Sequence, residues 1–277
     1  MRRGISGAVG CCVTDVAKVR CSRKPISIQP AMASFRRRVR GATIVKIGRI
    51  GKRVAIWLDS EEAIVVQPRM TGLVLIADPP SQQHLRWRLE LAGGPMERIL
   101  YWDRRGLGNI RLFSRKEFND CFRAEVMGPD ALVIDADGFC QQLGHSQREI
   151  KTALLDQRAV AGIGNLYASE ILHVAGIHPQ RRCAAMTARQ WRSLAAATHQ
   201  VMEEAIRYEG STLGDGTYRN VLNQQGKYQH QHRVYKRTDQ PCPRCHQGPI
   251  KRIVQTQRST FFCPSCQKRS GAIDFRP

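Results

Sequence analysis

No apolar run in this chain approaches the ~18 residues needed to cross a bilayer, which excludes a helical membrane span. At the N-terminus Asp15 and Lys18 break up a weakly apolar stretch before it could serve as the core of a signal peptide. The chain is therefore expected in the cytoplasm, with no membrane partner. Acidic residues are scarce: 23 Asp and Glu stand against 44 Lys and Arg in 277 residues, a formal net charge of +21. So large an imbalance favours a polyanionic partner, nucleic acid first and an anionic membrane surface well behind it. Aromatic residues are few at 6%, but 42% apolar residues over this length can build two cores, so a disordered basic tail is excluded. No internal repeat is evident. Also missing is a proper start to the first helical pattern. Met1, Ile5, Ala8, Val9 and Cys12 recur at helical spacing, yet no capping residue precedes them, and Arg2 and Arg3 face the positive end of the helix dipole. The stretch reads as a helix entered partway through.

From about Ile44 to Phe113 the hydrophobic pattern has period two. "HLRWRLEL" (84–91) alternates, "RVAIWL" (53–58) and "AIVV" (63–66) are β-rich, and "AGGPM" (92–96) supplies a hairpin turn before "RILYW" (98–102). Many short strands separated by turn signals imply a β-sandwich or barrel. Beyond Gly128 and Pro129 the period becomes helical. Helices are expected at 146–157, at 165–175 and at 187–210, the last stopped by Gly210. Residues 211–232, rich in Gly, Gln and Tyr, read as a long, mobile loop.

Six of the ten cysteines (Cys11, Cys12, Cys21, Cys121, Cys140 and Cys183) are scattered, which suits reduced thiols; Cys11 and Cys12 are expected to be ordinary buried ones. The other four form two knuckles, Cys242-x2-Cys245 and Cys263-x2-Cys266, separated by 17 residues. That spacing gives four thiolates to one tetrahedral metal, zinc before iron, with His246 a neighbour rather than a ligand. Four sulfur ligands leave no open position, so the expected role is one structural Zn2+ that stabilises a hairpin too small to fold alone. Between the knuckles, "QTQRSTFF" puts Arg258 with Phe261 and Phe262 on a β-ribbon that can enter a DNA groove, unless Arg258 is simply a surface arginine.

"LLDQRAVAGIGNLYASEILHVAGIHPQR" (154–181) sets Gly162 and Gly164 between two helices, Asn165 at the start of the second, and Gly176 and Pro179 at its close. Asn165 could be only a cap. With basic flanks, however, glycines that permit close backbone approach and a helix start with unpaired N–H groups form a phosphate clamp. In the β-rich half, "QPRMTG" (67–72) and "DRRGLG" (103–108) carry Met70 and Leu107 beside arginines. These are either core residues or a wedge entering the base stack, with Arg105 filling the place of an extruded nucleotide.

Taken together, "GKRVAIWL", "QPRMTG", "DRRGLG", "MGPDAL", the 154–181 block, "GSTL" and the terminal cysteine hairpin resemble the bacterial formamidopyrimidine-DNA glycosylases, a family that includes the endonuclease VIII branch. The resemblance runs nearly the whole length. It implies an α+β multidomain protein: an N-terminal β-sandwich over 1–125, a helical helix–two-turn–helix domain over 126–215, a loop or linker over 216–235, and a zinc-finger β-hairpin over 236–277. It implies a monomer that binds damaged double-stranded DNA in a cleft between the two larger parts, and a base-excision activity on oxidised purines. In such enzymes an N-terminal proline attacks C1′, the following glutamate handles protons, and β,δ-elimination cuts the strand. By motif, Lys52 falls on the lysine assigned to β-elimination and Arg258 on the arginine assigned to δ-elimination. Met70, Arg105 and Leu107 fall on the void-filling residues, Leu107 replacing a commoner phenylalanine. His84, Arg105, Lys151 and Asn165 fall on DNA-contact positions. The long loop resembles the element that closes over a purine lesion, which favours 8-oxoguanine and formamidopyrimidines over oxidised pyrimidines.

One departure stands out. Family members begin "PELPEVET" before a helix resembling "MRRGI", so the proline and glutamate are absent from this sequence. An amine at Arg2 would be displaced by roughly 10–25 Å over about eight residues, where attack needs about 3.5 Å. The expectation is a start upstream of Met1; failing that, a zinc protein that binds damaged DNA without cutting it. Sequencing the N-terminal peptide of the protein from its source checks this, with proline and glutamate ahead of Met1 as the expected outcome.

Overall fold

The computed structural model describes residues 1–269, which form two compact units, Met1–Arg123 with Tyr208–Gln229, and Ala124–Arg207 with 230–269. Residues 270–277 of the expected zinc finger lie outside the described residues.

The first unit contains two sheets. One has the strand order β1 (Cys12–Lys18), β7 (Leu85–Ala92), β8 (Arg98–Asp103), β6 (Gly72–Leu75). The other runs β2 (Ser27–Gln29), β9 (Asn109–Phe113), β5 (Ala63–Gln67), β4 (Arg53–Leu58), β3 (Ile44–Ile50). A single core joins them: Val13, Trp87, Leu89 and Tyr101 from the first sheet pack with Ile44, Ile56, Ile64 and Ile110 from the second, along with Phe35 and Val39 of helix α1 (Met32–Val39). The alternating segment and the continuous apolar segments of the sequence now have separate explanations. On β7, Trp87, Leu89 and Leu91 face the core while Arg88 is exposed. Strands β4 and β5 are buried on both faces, because Phe118 and Phe122, from helix α2 (Arg115–Cys121) and its end, cover Ala55, Val65 and Phe113 on the outer side.

The N-terminal segment departs from expectation. Only Arg3–Ala8 is helical, as a 3-10 turn with no side-chain cap, and Cys12 already belongs to β1. Ile5 and Ala8 are buried as the pattern predicts, whereas Val9 is exposed. A helical face and the entry to an edge strand had merged into one apparent period. Cys11 is buried and Cys12 half-buried.

The second unit holds α3 (Ala136–Leu143), α4 (Ile150–Leu154), α5 (Asn165–Ala175), α6 (Ala188–Arg207) and the hairpin of β10 (Lys251–Gln255) with β11 (Arg258–Phe262). α5 matches its expected span and ends on Gly176 in the left-handed region (φ 67). α4 is shorter than expected, a single turn and a half. α6 starts after Thr187, whose hydroxyl accepts from the Gln190 N–H while Gln190 returns the bond. Among the described residues no helix is long and apolar enough to cross a membrane.

The stretch read as a mobile loop is tied down. Thr212 donates its hydroxyl to the Tyr218 carbonyl (2.6 Å), the Asn220 side chain bonds Glu209 (2.9 Å), and the Ile76 N–H donates to the Val221 carbonyl (2.9 Å). Val221 is buried in the sandwich core. Few aliphatics are needed here because one of them, correctly placed, anchors the segment.

Register gathers one end of the sandwich. The crossings 68–71 and 104–108 run between the two sheets where Gly72 pairs with Asp103 and Gln67 with Asn109. Gly108 sits in this crowded corner: a Cβ there would collide with the Tyr101 hydroxyl and reach within 2.9 Å of the Gln67 carbonyl. Gly108→Ala is expected to destabilise the first unit by about 1–3 kcal/mol, and Tyr101→Phe in the same chain to recover part of that loss, measured by denaturant unfolding.

Candidate functional site

The four knuckle cysteines converge. Their sulfurs lie within 4.8 Å of one another, with Cys242 and Cys266 3.8 Å apart and Cys245 and Cys263 3.6 Å apart. A tetrahedral zinc with Zn–S bonds of about 2.3 Å requires sulfur–sulfur separations of about 3.8 Å, so the set fits one structural zinc. The imidazole of His246 is not part of the cluster. The module's own core is little more than Val234, Ile250, Phe261 and the cysteines, in keeping with a fold that needs a metal.

The hairpin projects Arg258. Gln255 pairs with Arg258 across a two-residue turn in which Thr256 (φ 46) and Gln257 (φ 61) both occupy the left-handed region. That is the backbone a tight β-hairpin demands, adopted here without Asn or Gly. Arg258 is exposed at the tip. Beside it lie Lys151 and Asn165. The Lys151 ammonium donates to Asn165 Oδ1 (2.6 Å), and Asn165 Nδ2 donates to the Ser259 carbonyl (3.0 Å). Asn165 therefore makes no cap; Gly164 is the N-cap, and the amide instead ties α4, α5 and β11 together. Lys151 is fully buried, and that burial, followed by repulsion from Arg258, lowers its pKa to about 8. The glycine turn preceding Asn165 is held by Gln157, which donates to the Ile163 carbonyl (3.1 Å) and accepts from the Gly162 N–H (3.0 Å). Lys151, Asn165 and Arg258 thus form one cationic group within the second unit.

In the first unit the other expected residues meet at the crowded end of the sandwich. Met70 is 71% exposed and Leu107 38%, so neither is a core residue. Arg105 lies beside Met70, its guanidinium 3.4 Å from the thioether sulfur. Lys52 is exposed in the two-residue turn between β3 and β4, and the strand register puts that turn next to the 68–71 crossing. Arg69 raises the positive potential there, adding to burial in lowering the pKa of Arg53. His84 precedes β7 on a short 3-10 turn, edge-on to Trp102 at 5.4 Å. Burial, then Arg86, Arg23 and Arg104, hold its pKa below the ordinary value, with Asp103 opposing them.

Several residues that organise these groups escaped the sequence reading. Asp103 is fully buried and accepts from the Thr71 hydroxyl and from the N–H groups of Arg105 (3.2 Å) and Gly108 (2.8 Å), so one carboxylate shapes both crossings. Its signal was available, an Asp opening a glycine-containing turn. Arg86 carried none. The period-two pattern assigns it to the solvent face, but the β7–β8 register shifts between Leu85 and Trp87, and Arg86 is buried with Nε donating to the Asp103 carbonyl (2.8 Å).

The titration of Lys151 has two expected consequences. The folded chain releases this proton near pH 8 while the unfolded chain holds it to 10.5. Stability from this group therefore rises with pH across that window. Affinity for duplex DNA should fall across the same window, by up to about tenfold per pH unit. Binding isotherms and denaturation midpoints from pH 7 to pH 10 check both, and Lys151→Met should bind more weakly and lose the share of each dependence that Lys151 contributes.

Three family models cover most of the chain: the formamidopyrimidine-DNA glycosylase N-terminal domain at residues 1–110, the H2TH domain of the same enzymes at 127–216, and a zinc finger found in FPG and IleRS at 239–269. The formamidopyrimidine-DNA glycosylase of Chloroflexus aurantiacus is 37% identical over 247 residues, 88% of this chain and 86% of its own. That of Azorhizobium caulinodans is 32% identical with 97% of each chain covered. Among solved structures, Lactococcus lactis Fpg bound to DNA containing an abasic site is 27% identical over 96% of both chains, with a TM-score of 0.83. A mutant of the same protein bound to Fapy-dG containing DNA is 28% identical at the same coverage and TM-score. The matches span the sandwich, the helical unit and the cysteine hairpin along nearly the whole length, and the chain belongs to the formamidopyrimidine-DNA glycosylase family of DNA repair enzymes.

Proposed function

We propose that this chain carries the DNA-gripping, void-filling and strand-cleaving groups of a base-excision glycosylase that removes oxidised purines from duplex DNA and nicks the product by β,δ-elimination. The observation that carries this is the grouping of Lys151 and Asn165 with Arg258, which lies more than ninety positions further along the chain, within hydrogen-bonding or electrostatic reach. Two fixed cations around an amide suit a backbone phosphate, and the first N–H groups of α5 add to the attraction.

In this reading Met70 and Leu107 enter the duplex where the damaged nucleotide leaves it. Arg105, held by Asp103 and Thr71 through its own N–H, occupies the vacated place. Lys52 serves the β-elimination and Arg258 the δ-elimination, after an amine has attacked C1′ and released the base. Zinc, when bound, supplies no chemistry to the DNA; it holds the hairpin that presents Arg258. The residues assigned to 1–125, 126–215, 216–235 and 236–277 divide these tasks, with the protein acting as a monomer in the cytoplasm.

Borohydride trapping tests the reading. The protein from its source, incubated with duplex containing 8-oxoguanine, should form a covalent adduct and leave a strand gap. Binding to abasic-site duplex with no adduct would mean a non-catalytic damage-binding protein, and stronger trapping on an oxidised pyrimidine would move the substrate class. In either event affinity should fall linearly on a log–log plot against salt, with a slope of roughly 0.9 per phosphate neutralised. Replacing Arg258 with alanine should lower that slope by about one.

A further inference from the structure

Helix α5 carries Asn165 at its start and, two turns later, a buried histidine that the proposed DNA chemistry does not use. His173 is 1% exposed, and its Nε2 lies 3.3 Å from the sulfur of Cys242. Its other ring nitrogen, Nδ1, is buried without a hydrogen-bond partner. A neutral imidazole has one N–H. Placed on Nδ1, that proton would be an orphaned buried donor, and a nitrogen lone pair would face the lone pairs of the sulfur. Placed on Nε2, it donates to the thiolate and leaves only an acceptor unmatched, which is the less costly arrangement.

Four thiolates around one Zn2+ leave a net charge of −2 in a largely buried place, and donors to sulfur stabilise that charge. The backbone supplies one, from Cys266 N–H to Cys263 (3.4 Å). Other contacts seat the module on the same helix. Glu170, one turn before His173, accepts from the N–H groups of Arg233 (2.8 Å), Val234 (3.0 Å) and Tyr235 (2.8 Å). Arg244, from the first knuckle, donates to the His173 carbonyl (3.1 Å). At the other end of α5, Asn165 holds Ser259 at the hairpin tip.

We propose that His173 is a positioning residue that donates from Nε2 to the Cys242 thiolate. Through it one rigid helix, about 12 Å from Asn165 to His173, joins the zinc centre to the cluster that holds Arg258. The proposal rests on the four cysteines binding zinc and not on the glycosylase chemistry, so a failed borohydride trap leaves it standing.

Long-range 1H–15N NMR of the zinc-loaded full chain should find His173 protonated at Nε2. Transfer of zinc from His173→Phe to a colorimetric chelator should be about tenfold to a hundredfold faster than from the wild-type protein. His173→Gln, which keeps an N–H donor, should recover part of the difference. A proton on Nδ1 overturns the proposal, as does wild-type zinc release from a folded His173→Phe chain. Should the phenylalanine variant fail to fold, the tautomer measured in the wild-type protein decides.

Discussion

The second unit turns on the side-chain amide of Asn165. Its oxygen accepts a hydrogen bond from a buried lysine and its nitrogen donates one to the backbone of the cysteine hairpin. One side chain thereby joins α4, α5 and β11, which no hydrocarbon side chain could do, because both bonds are directional. Lys151, fully buried, finds an acceptor in that oxygen, and burial together with Arg258 beside it favours the neutral amine. Lys151 and Asn165 satisfy one another, but with Arg258 beside them the group is left short of negative charge, which is the condition a phosphate relieves.

A buried carboxylate does comparable work at the end of the sandwich. Asp103 accepts from a hydroxyl and two backbone amides drawn from both sheet crossings, and it leaves Met70 and Leu107 standing out in solvent. Apolar side chains held out by an internal polar network are not misplaced core. Rigid loops keep them exposed while the core of the same unit is complete without them. Close packing around Tyr101 limits the corner to glycine at positions 72 and 108, so the chain cannot relax by pulling the two loops apart.

Much of this was legible from residue order alone. Strands β4, β5, β7 and β8 and helix α5 were marked by period and turn residues, and the four cysteines by spacing, because each depends on neighbours within a few positions. Arg86 was not, since a bulge reverses the face that its place in the alternation predicts. His173 and Glu170 looked like the ordinary content of an amphipathic helix, and their partners lie more than sixty residues away. Val221 shows the opposite case: one valine in a polar stretch carried no signal, yet it enters the sandwich core.

What the sequence determined by itself was therefore the charge, the class of each half, the metal ligands and the list of candidate side chains. These follow from composition and from local spacing, which survive without any knowledge of contacts. Only the tertiary structure decided which side chains meet: Lys151 with Asn165 and Arg258, Met70 with Arg105, and His173, which the sequence had not marked, with Cys242. Directional bonds between distant residues depend on register and helix packing, and those are set by the burial of the whole core rather than by any short stretch of chain.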